Sequence, residues 1–177
     1  MSTYSNISFS IENSRGSDIQ ARDIAHALSL ICRANGHFIR FYSVAQHSLN
    51  CYREATARGL SDKVRLICLL HDASEAYISD IIRPVKACLP QYQVLEKNLQ
   101  QRIFERFGLP VLSEQEIALS KEIDNAVLDY EFDALHVGGS WDELPSVSAK
   151  FDFSFRDMKS VEQEFMDTLH VLGAIPD

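Results

Sequence analysis

No run of apolar residues in this chain reaches the ~18–20 positions that a bilayer-spanning helix needs, so no membrane-embedded role is expected. The opening residues, MSTYSNISFSIENSRG, lack a basic region followed by an apolar core, so no secretory signal is expected either. Cysteine is sparse: Cys32, Cys51, Cys68 and Cys88 show no C-x-x-C spacing and read as reduced core or surface thiols of a cytoplasmic protein. There is no basic tract and no interleaving of aromatic with basic residues, which argues against a long nucleic-acid partner. Internal repeats and low-complexity segments are also missing. What is present suits one domain with a real core: 177 residues, 46% hydrophobic and 24% charged. The net charge of −8 is unevenly placed. Residues 1–110 hold 13 Lys and Arg against 10 Asp and Glu, and residues 111–177 hold 4 against 15. The first part is therefore the one suited to an anionic ligand.

Within that part, one stretch organises the rest: LLHDASEAYISD, Leu69 to Asp80. An apolar run leads straight into His71 and Asp72. Apolar runs bury themselves, and a buried Asp needs a partner. A metal ion would satisfy a His and an Asp together. On one continuous helix, His71 and Glu75 are i and i+4, and Asp72 and Glu75 are i and i+3, so all three share a side. Glu75 would then sit a turn away from a cation held by His71 and Asp72, suited to handling water there rather than ligating. Asp80 falls beyond the expected helix end. The same spacing also fits an apolar helix with a solvated acidic end.

The chain taken in order reads as all-α: a single-domain helical bundle of five to six main helices. Residues 1–17 form an extended or poorly ordered lead-in, with Phe9 and Ile11 alternating as a short edge strand would. Residues 18–135 form the helical core, and 136–177 an irregular segment and a terminal helix. A first helix begins at Ser17 or Asp18, carries Ile24, Leu28, Leu30 and Ile31, and ends near Asn35-Gly36. His26 in it reads as a surface or satisfied core histidine. A second helix spans Ser43 to Arg58 and carries His47. A third spans 61–78, capped by Ser61 or Asp62. Pro84 makes IIRPVKACLP a loop with at most one helical turn, presenting Arg83 and Lys86. A fourth helix spans 91–107. A fifth starts at the capping box Ser113-Glu116 and runs to about Leu135 with Asp124 in its middle. Residues 136–140 form a break. Phe151, Phe153 and Phe155 alternate as a strand or as anchors of the tail, and the last helix spans 157–172.

His47, His71-Asp72 and Asp124 stand in the order H…HD…D. This pattern resembles the HD superfamily of metal-dependent phosphohydrolases. HDASEAYISDIIRPVK is similar to the corresponding segment of bacterial 5′-deoxynucleotidases. DIAHALSLICRANGHFIRFYSVAQHS looks like the phage and bacterial branch that includes dATP triphosphohydrolases. The likeness covers roughly residues 20–130.

The resemblance implies that His47, His71, Asp72 and Asp124 hold one divalent metal ion (Mn²⁺, Co²⁺, Zn²⁺ or Fe²⁺), because the additional His ligands of two-metal relatives are missing. Glu75 matches the acid that activates or orients the attacking water, and Asp80 a residue that contacts the sugar or holds the site's geometry. Lys86 matches a basic residue near the phosphate, and Arg40 is a looser match to a phosphate-binding Arg. Arg83 belongs with these substrate-binding candidates. The implied activity is hydrolysis of a (deoxy)nucleotide phosphate ester, as a 5′-deoxynucleotidase or a dNTP triphosphohydrolase. The Arg-Trp pair found near the start of the deoxynucleotidases is missing here, which leaves monophosphate or triphosphate open. The alternatives are a non-catalytic metal- and nucleotide-binding module and a (p)ppGpp hydrolase. Related enzymes form homodimers or larger homo-oligomers, so a homo-oligomer is expected. The aromatic stretch from Trp141 to Phe155 would serve as its contact or pack within the chain.

Overall fold

The computed structural model of the chain describes residues 1–138 and 143–175. Among these residues all regular structure is helical, apart from two isolated bridges, Ser2 with Ser8 and Cys32 with Ser43. The helices are α1 (Ala21–Leu30), α2 (Val44–Ala57), α3 (Asp62–Leu70), α4 (Glu75–Ile78), α5 (Arg83–Lys86), α6 (Pro90–Arg106), α7 (Glu114–Leu135) and α8 (Met158–Val171). Six of them span nine residues or more and make the expected all-α bundle. No described helix is long and apolar enough to cross a membrane.

Helix α2 is the axis. It packs against α3, α7, α1 and α8. Its first two turns are buried on every side, from Val44 through Cys51. Ser43 caps it: the Ser43 hydroxyl accepts from the Gln46 amide while the Gln46 side chain accepts from the Ser43 amide. Burial all round would strand polar side chains, so those of α2 are put to use. Gln46, Asn50 and Glu54 recur every four residues and so form one stripe. Gln46 donates to the Ser154 carbonyl, Asn50 exchanges bonds with the Asp152 backbone, and Glu54 accepts from the Ser148 and Ala149 amides. The stripe lashes residues 148–154 along the bundle in place of a helix or strand. Phe151 then meets Tyr130, and Phe153 meets Tyr42. Two of the three expected tail anchors therefore pack within the chain, while Phe155 is exposed. Trp141, together with Gly139 and Ser140 of the expected break, lies outside the described residues.

Several expected boundaries shift. The first helix is shorter at both ends: Gly16–Asp18 is a separate 3-10 turn, and α1 stops at Leu30, which is exposed rather than on the apolar face. The chain leaves the helix there because Ile31 to Arg33 pairs alongside Tyr42 to Val44: Arg33 donates to the Tyr42 carbonyl, and Val44 to that of Ile31. The Asn35-Gly36 signal is real but ends a different turn, where Ala34, Asn35 and Gly36 all have positive φ. The expected third helix breaks after Leu70. At 70–77 the amides of Ala73, Glu75, Ala76 and Tyr77 bond three residues back instead of four, so the coil tightens before α4. The lead-in is docked rather than loose: Phe9 is buried and stacks on Tyr77, and Ser5 donates to Asp23.

The main core gathers Ile24, Leu28, Leu69, Leu70, Leu99, Ile103, Phe165 and Leu169. All four cysteines are free thiols, with Cys51 and Cys68 buried. Phe165 joins α8 to this core at full burial. We expect Phe165→Ala to cost about 3–5 kcal/mol, read as a lower denaturant midpoint at unchanged slope.

Candidate metal centre

Three pieces of chain bring the first-rank candidates together: α2 supplies His47, the tightened turn after α3 supplies His71 and Asp72, and α7 supplies Asp124. His47 Nε2 lies 3.2 Å from His71 Nε2, 3.1 Å from Asp124 Oδ1 and 3.7 Å from Asp72 Oδ2. His71 Nε2 lies 3.3 Å from Asp72 Oδ2 and 3.7 Å from Asp124 Oδ1. Atoms that share a cation at ~2.1 Å stand about 3.0–3.5 Å apart, so the spacing fits one shared ion.

The far nitrogens fit as well. His71 Nδ1 donates to the Cys68 carbonyl at 2.8 Å, which the 3-10 turn makes reachable. His47 Nδ1 donates to Glu131 Oε1 at 2.6 Å. These acceptors assign both rings the Nδ1–H tautomer and leave both Nε2 lone pairs aimed at one point. Two lone pairs that close repel unless a proton or a cation sits between them. Cys51 Sγ is 3.6 Å from His47 Nε2, and His47, Cys51 and His71 form a group whose ligand atoms lie within 4.8 Å of one another. The carboxylates are the stronger partners. Burial and then Asp124 push the Cys51 thiol well above its usual range. Asp124 and Asp72 are held far below theirs: burial opposes this, but the two imidazoles beside Asp124, and His71 beside Asp72, outweigh it. Conversely, burial would lower His71, yet Asp72 and Asp124 raise it well above the usual imidazole value.

A cavity of about 310 Å³ opens beside these ligands, within the lower range of small-molecule sites. Its polar lining is Arg33, Asp72, Glu75, Asp80, Arg83, Lys86 and Asp124. Its apolar lining includes Phe38, Ile82, Leu128 and Phe132. Glu75 is buried, and its Oε2 has no hydrogen-bond partner. Burial first, then the charges of Asp72 and Asp80, push its carboxyl well above the usual range. Asp80 is raised by burial, with Arg33 acting against this from 3.9 Å. Lys86 Nζ is 3.8 Å from Glu75 and 2.5 Å from Glu96. Arg83, largely exposed, reaches Asp124 Oδ2 at 2.9 Å.

Arg40 is the exception among the candidates. It is exposed and does not line the cavity. The left-handed residues Ala34 to Gly36 turn the chain so that Arg33 points inward and Arg40 outward. Arg33 is the inner cation that the sequence did not single out. It bonds Asp72 at 3.4 Å and Glu131 at 3.2 Å. Glu131, fully buried, was also missed. Its signal was its position seven residues after Asp124, two helical turns along the same face of α7.

The chain is 40% identical over 108 residues to YfdR of Escherichia coli, an uncharacterised protein, and 43% identical over 101 residues to an uncharacterised protein of Rhodobacter capsulatus. These matches cover 61% and 54% of the chain, and it spans 58% and 51% of those relatives' lengths. No protein-family model matches the chain.

Removing Arg33 would take from the fully buried Glu131 its one full-charge cationic partner and leave it to His47 and Tyr42. We expect Arg33→Ala to destabilise the chain by about 3–5 kcal/mol in chemical denaturation. Arg40→Ala, on the surface, should stay within about 0.5 kcal/mol of the parent.

Proposed function

We propose that this chain is a metal-dependent phosphohydrolase of the HD type acting on a (deoxy)nucleotide. The observation that carries the reading is the convergence of two imidazole nitrogens and two ionised carboxylates on one point at the edge of a mixed polar and apolar cavity. His47, His71, Asp72 and Asp124 would hold a single divalent ion. Such a mixed nitrogen and oxygen set suits Mn²⁺, Co²⁺, Zn²⁺ or Fe²⁺. When bound, the ion supplies Lewis acidity toward water and a phosphoryl oxygen.

The chain's own residues supply the rest. The polar lining carries four carboxylates against three cations, so a dication turns its formal excess from negative to positive, and an anion is then favoured there. Arg33 and Lys86 face phosphate oxygens and offset charge that builds as the ester bond breaks. Arg83 sits at the exposed rim, free to exchange Asp124 for an incoming phosphate. Glu75 is the proton acceptor in this reading: burial and its acidic neighbours raise its carboxyl above the usual carboxylate range, so it holds a proton more tightly than a free carboxylate does. Asp80 steadies Arg33 from the far side. Phe38, Leu128 and Phe132 offer apolar surface for a base, while the cationic residues of the lining take the phosphate.

The deciding measurement is product release from a panel of dNMPs, dNTPs and ppGpp with Mn²⁺ or Co²⁺. Orthophosphate from a dNMP would mark a 5′-nucleotidase, triphosphate from a dNTP a triphosphohydrolase, and pyrophosphate from ppGpp an alarmone hydrolase. No release across the panel, with metal bound, would sink the catalytic reading. We expect Glu75→Gln to keep metal binding and lose turnover by about 10²–10⁴-fold. Asp72→Ala should lose both, as followed by calorimetric metal titration alongside the rate.

A further inference from the structure

Glu131 has no place in the proton-transfer and charge-offsetting roles above, yet it is the most enclosed carboxylate of the region. Its side chain has 0% exposure and both its oxygens are engaged. Oε1 accepts from His47 Nδ1 at 2.6 Å, and Oε2 accepts from Arg33 Nη2 at 3.2 Å. The 3.3 Å approach of Arg33 Nη2 to His47 Nδ1 is a contact between two donors, which only a shared acceptor makes tolerable. Beyond Arg33 the chain of contacts runs on to Asp72 at 3.4 Å. The other nitrogen of the His47 ring meets Asp124 at 3.1 Å. The imidazole is thus gripped between two carboxylates of the same helix, Asp124 and Glu131, two turns apart on α7.

We infer that Glu131 is a positioning residue: its one carboxylate fixes the ring nitrogen that His47 presents to the metal and holds Arg33 at the anion-facing wall. The inference rests on the metal reading above. A fully buried carboxylate is costly unless it accepts from charged or strong donors. Its donors here include a ring that faces the ligand cluster and the innermost cation of the cavity, with the Tyr42 hydroxyl beside them. Glutamine has the same shape but fails at one end. If its oxygen accepts from His47, its amide N–H₂ meets the N–H of Arg33. If it turns over, the N–H₂ meets His47 Nδ1–H and favours the wrong tautomer.

The test uses the full chain, stripped of metal and titrated calorimetrically with Mn²⁺ and with Zn²⁺. We expect Glu131→Gln to weaken metal binding about 10–100-fold, the usual loss when the outer partner of a ligating histidine is removed. Asp129→Asn, on the same helix but away from the ligands, should bind as the parent does. A merely structural role would not move the tautomer, so ¹⁵N spectra of the histidine side chains are the second readout. In the wild type His47 should carry its proton on Nδ1, with Nε2 responding to Zn²⁺. This readout needs no variant to fold.

Equal metal affinity in wild type and Glu131→Gln, or a wild-type His47 protonated on Nε2, overturns the inference and leaves the metal reading standing. A wild type that binds neither ion overturns both. If Glu131→Gln does not fold, Glu131→Asp takes its place. That variant keeps the charge but falls one methylene short of His47, and unchanged affinity in it counts against the inference.

Discussion

The molecule depends on how it compensates a group of buried carboxylates. Asp72, Glu75, Asp80, Asp124 and Glu131 come from two stretches of chain and meet in one region. Glu75 and Glu131 are buried and Asp72, Asp80 and Asp124 half-buried, and like charges this close raise one another's cost of ionisation. The partners available within the chain are His47, His71, Arg33 and, at the rim, Arg83 and Lys86. Their distribution decides which acids stay ionised. The three carboxylates touching imidazoles, Asp72, Asp124 and Glu131, lie below their usual range, and Glu75, whose ion-pair partner is Lys86 at 3.8 Å, lies well above. One cluster thus contains acids pushed in opposite directions, separated only by which partners each one reaches.

That arrangement requires α2 at the centre. A helix buried on all sides brings His47 within reach of α3, of the turn after it and of α7 at once. The cost is a set of stranded polar side chains on the far face, and the stripe Gln46, Asn50, Glu54 meets it by binding the backbone of residues 148–154. The tail segment is therefore part of the support for the site. It closes one side of α2 with hydrogen bonds where a sixth packed helix would use apolar contact, and it returns Phe153 against Tyr42, which itself lies next to Glu131. Core, tail and ligand cluster share residues and are coupled through them.

The break between α3 and α4 joins local geometry to chemistry. On a continuous helix the backbone carbonyl of Cys68 would bond an amide of the following turn. In the tightened turn His71 Nδ1 reaches it instead, which fixes the tautomer. The same tightening buries Glu75 between the cavity and the lead-in, where its upper oxygen has no partner among the described residues. An unsatisfied buried carboxylate oxygen is uncommon in a folded protein.

Much of this was legible in the amino-acid order. The capping boxes at Ser43 and Ser113, the period of Leu99, Ile103 and Phe107, and the 3.6-residue face of Val161, Phe165 and Leu169 specify helices locally, because capping and amphipathicity are short-range effects. The anomaly of His71-Asp72 at the end of an apolar run pointed to this cluster of acids and imidazoles for the same reason: charge among apolar neighbours is visible in sequence. Arg33 and Glu131 were not legible. They lie 98 residues apart, each looks like an ordinary polar residue in its own segment, and their ion pair exists only because α7 packs on α2. Arg40, expected near a phosphate from the resemblance, lies outside the cavity, because Asn35-Gly36 signals a left-handed turn but nothing in the sequence shows that Ala34 joins it. The sequence by itself determined the helices, their apolar faces and the acids and imidazoles that needed partners. Only the tertiary structure decided which partner each one received, because pairing of buried charges is set by distances between segments, and those distances arise from packing.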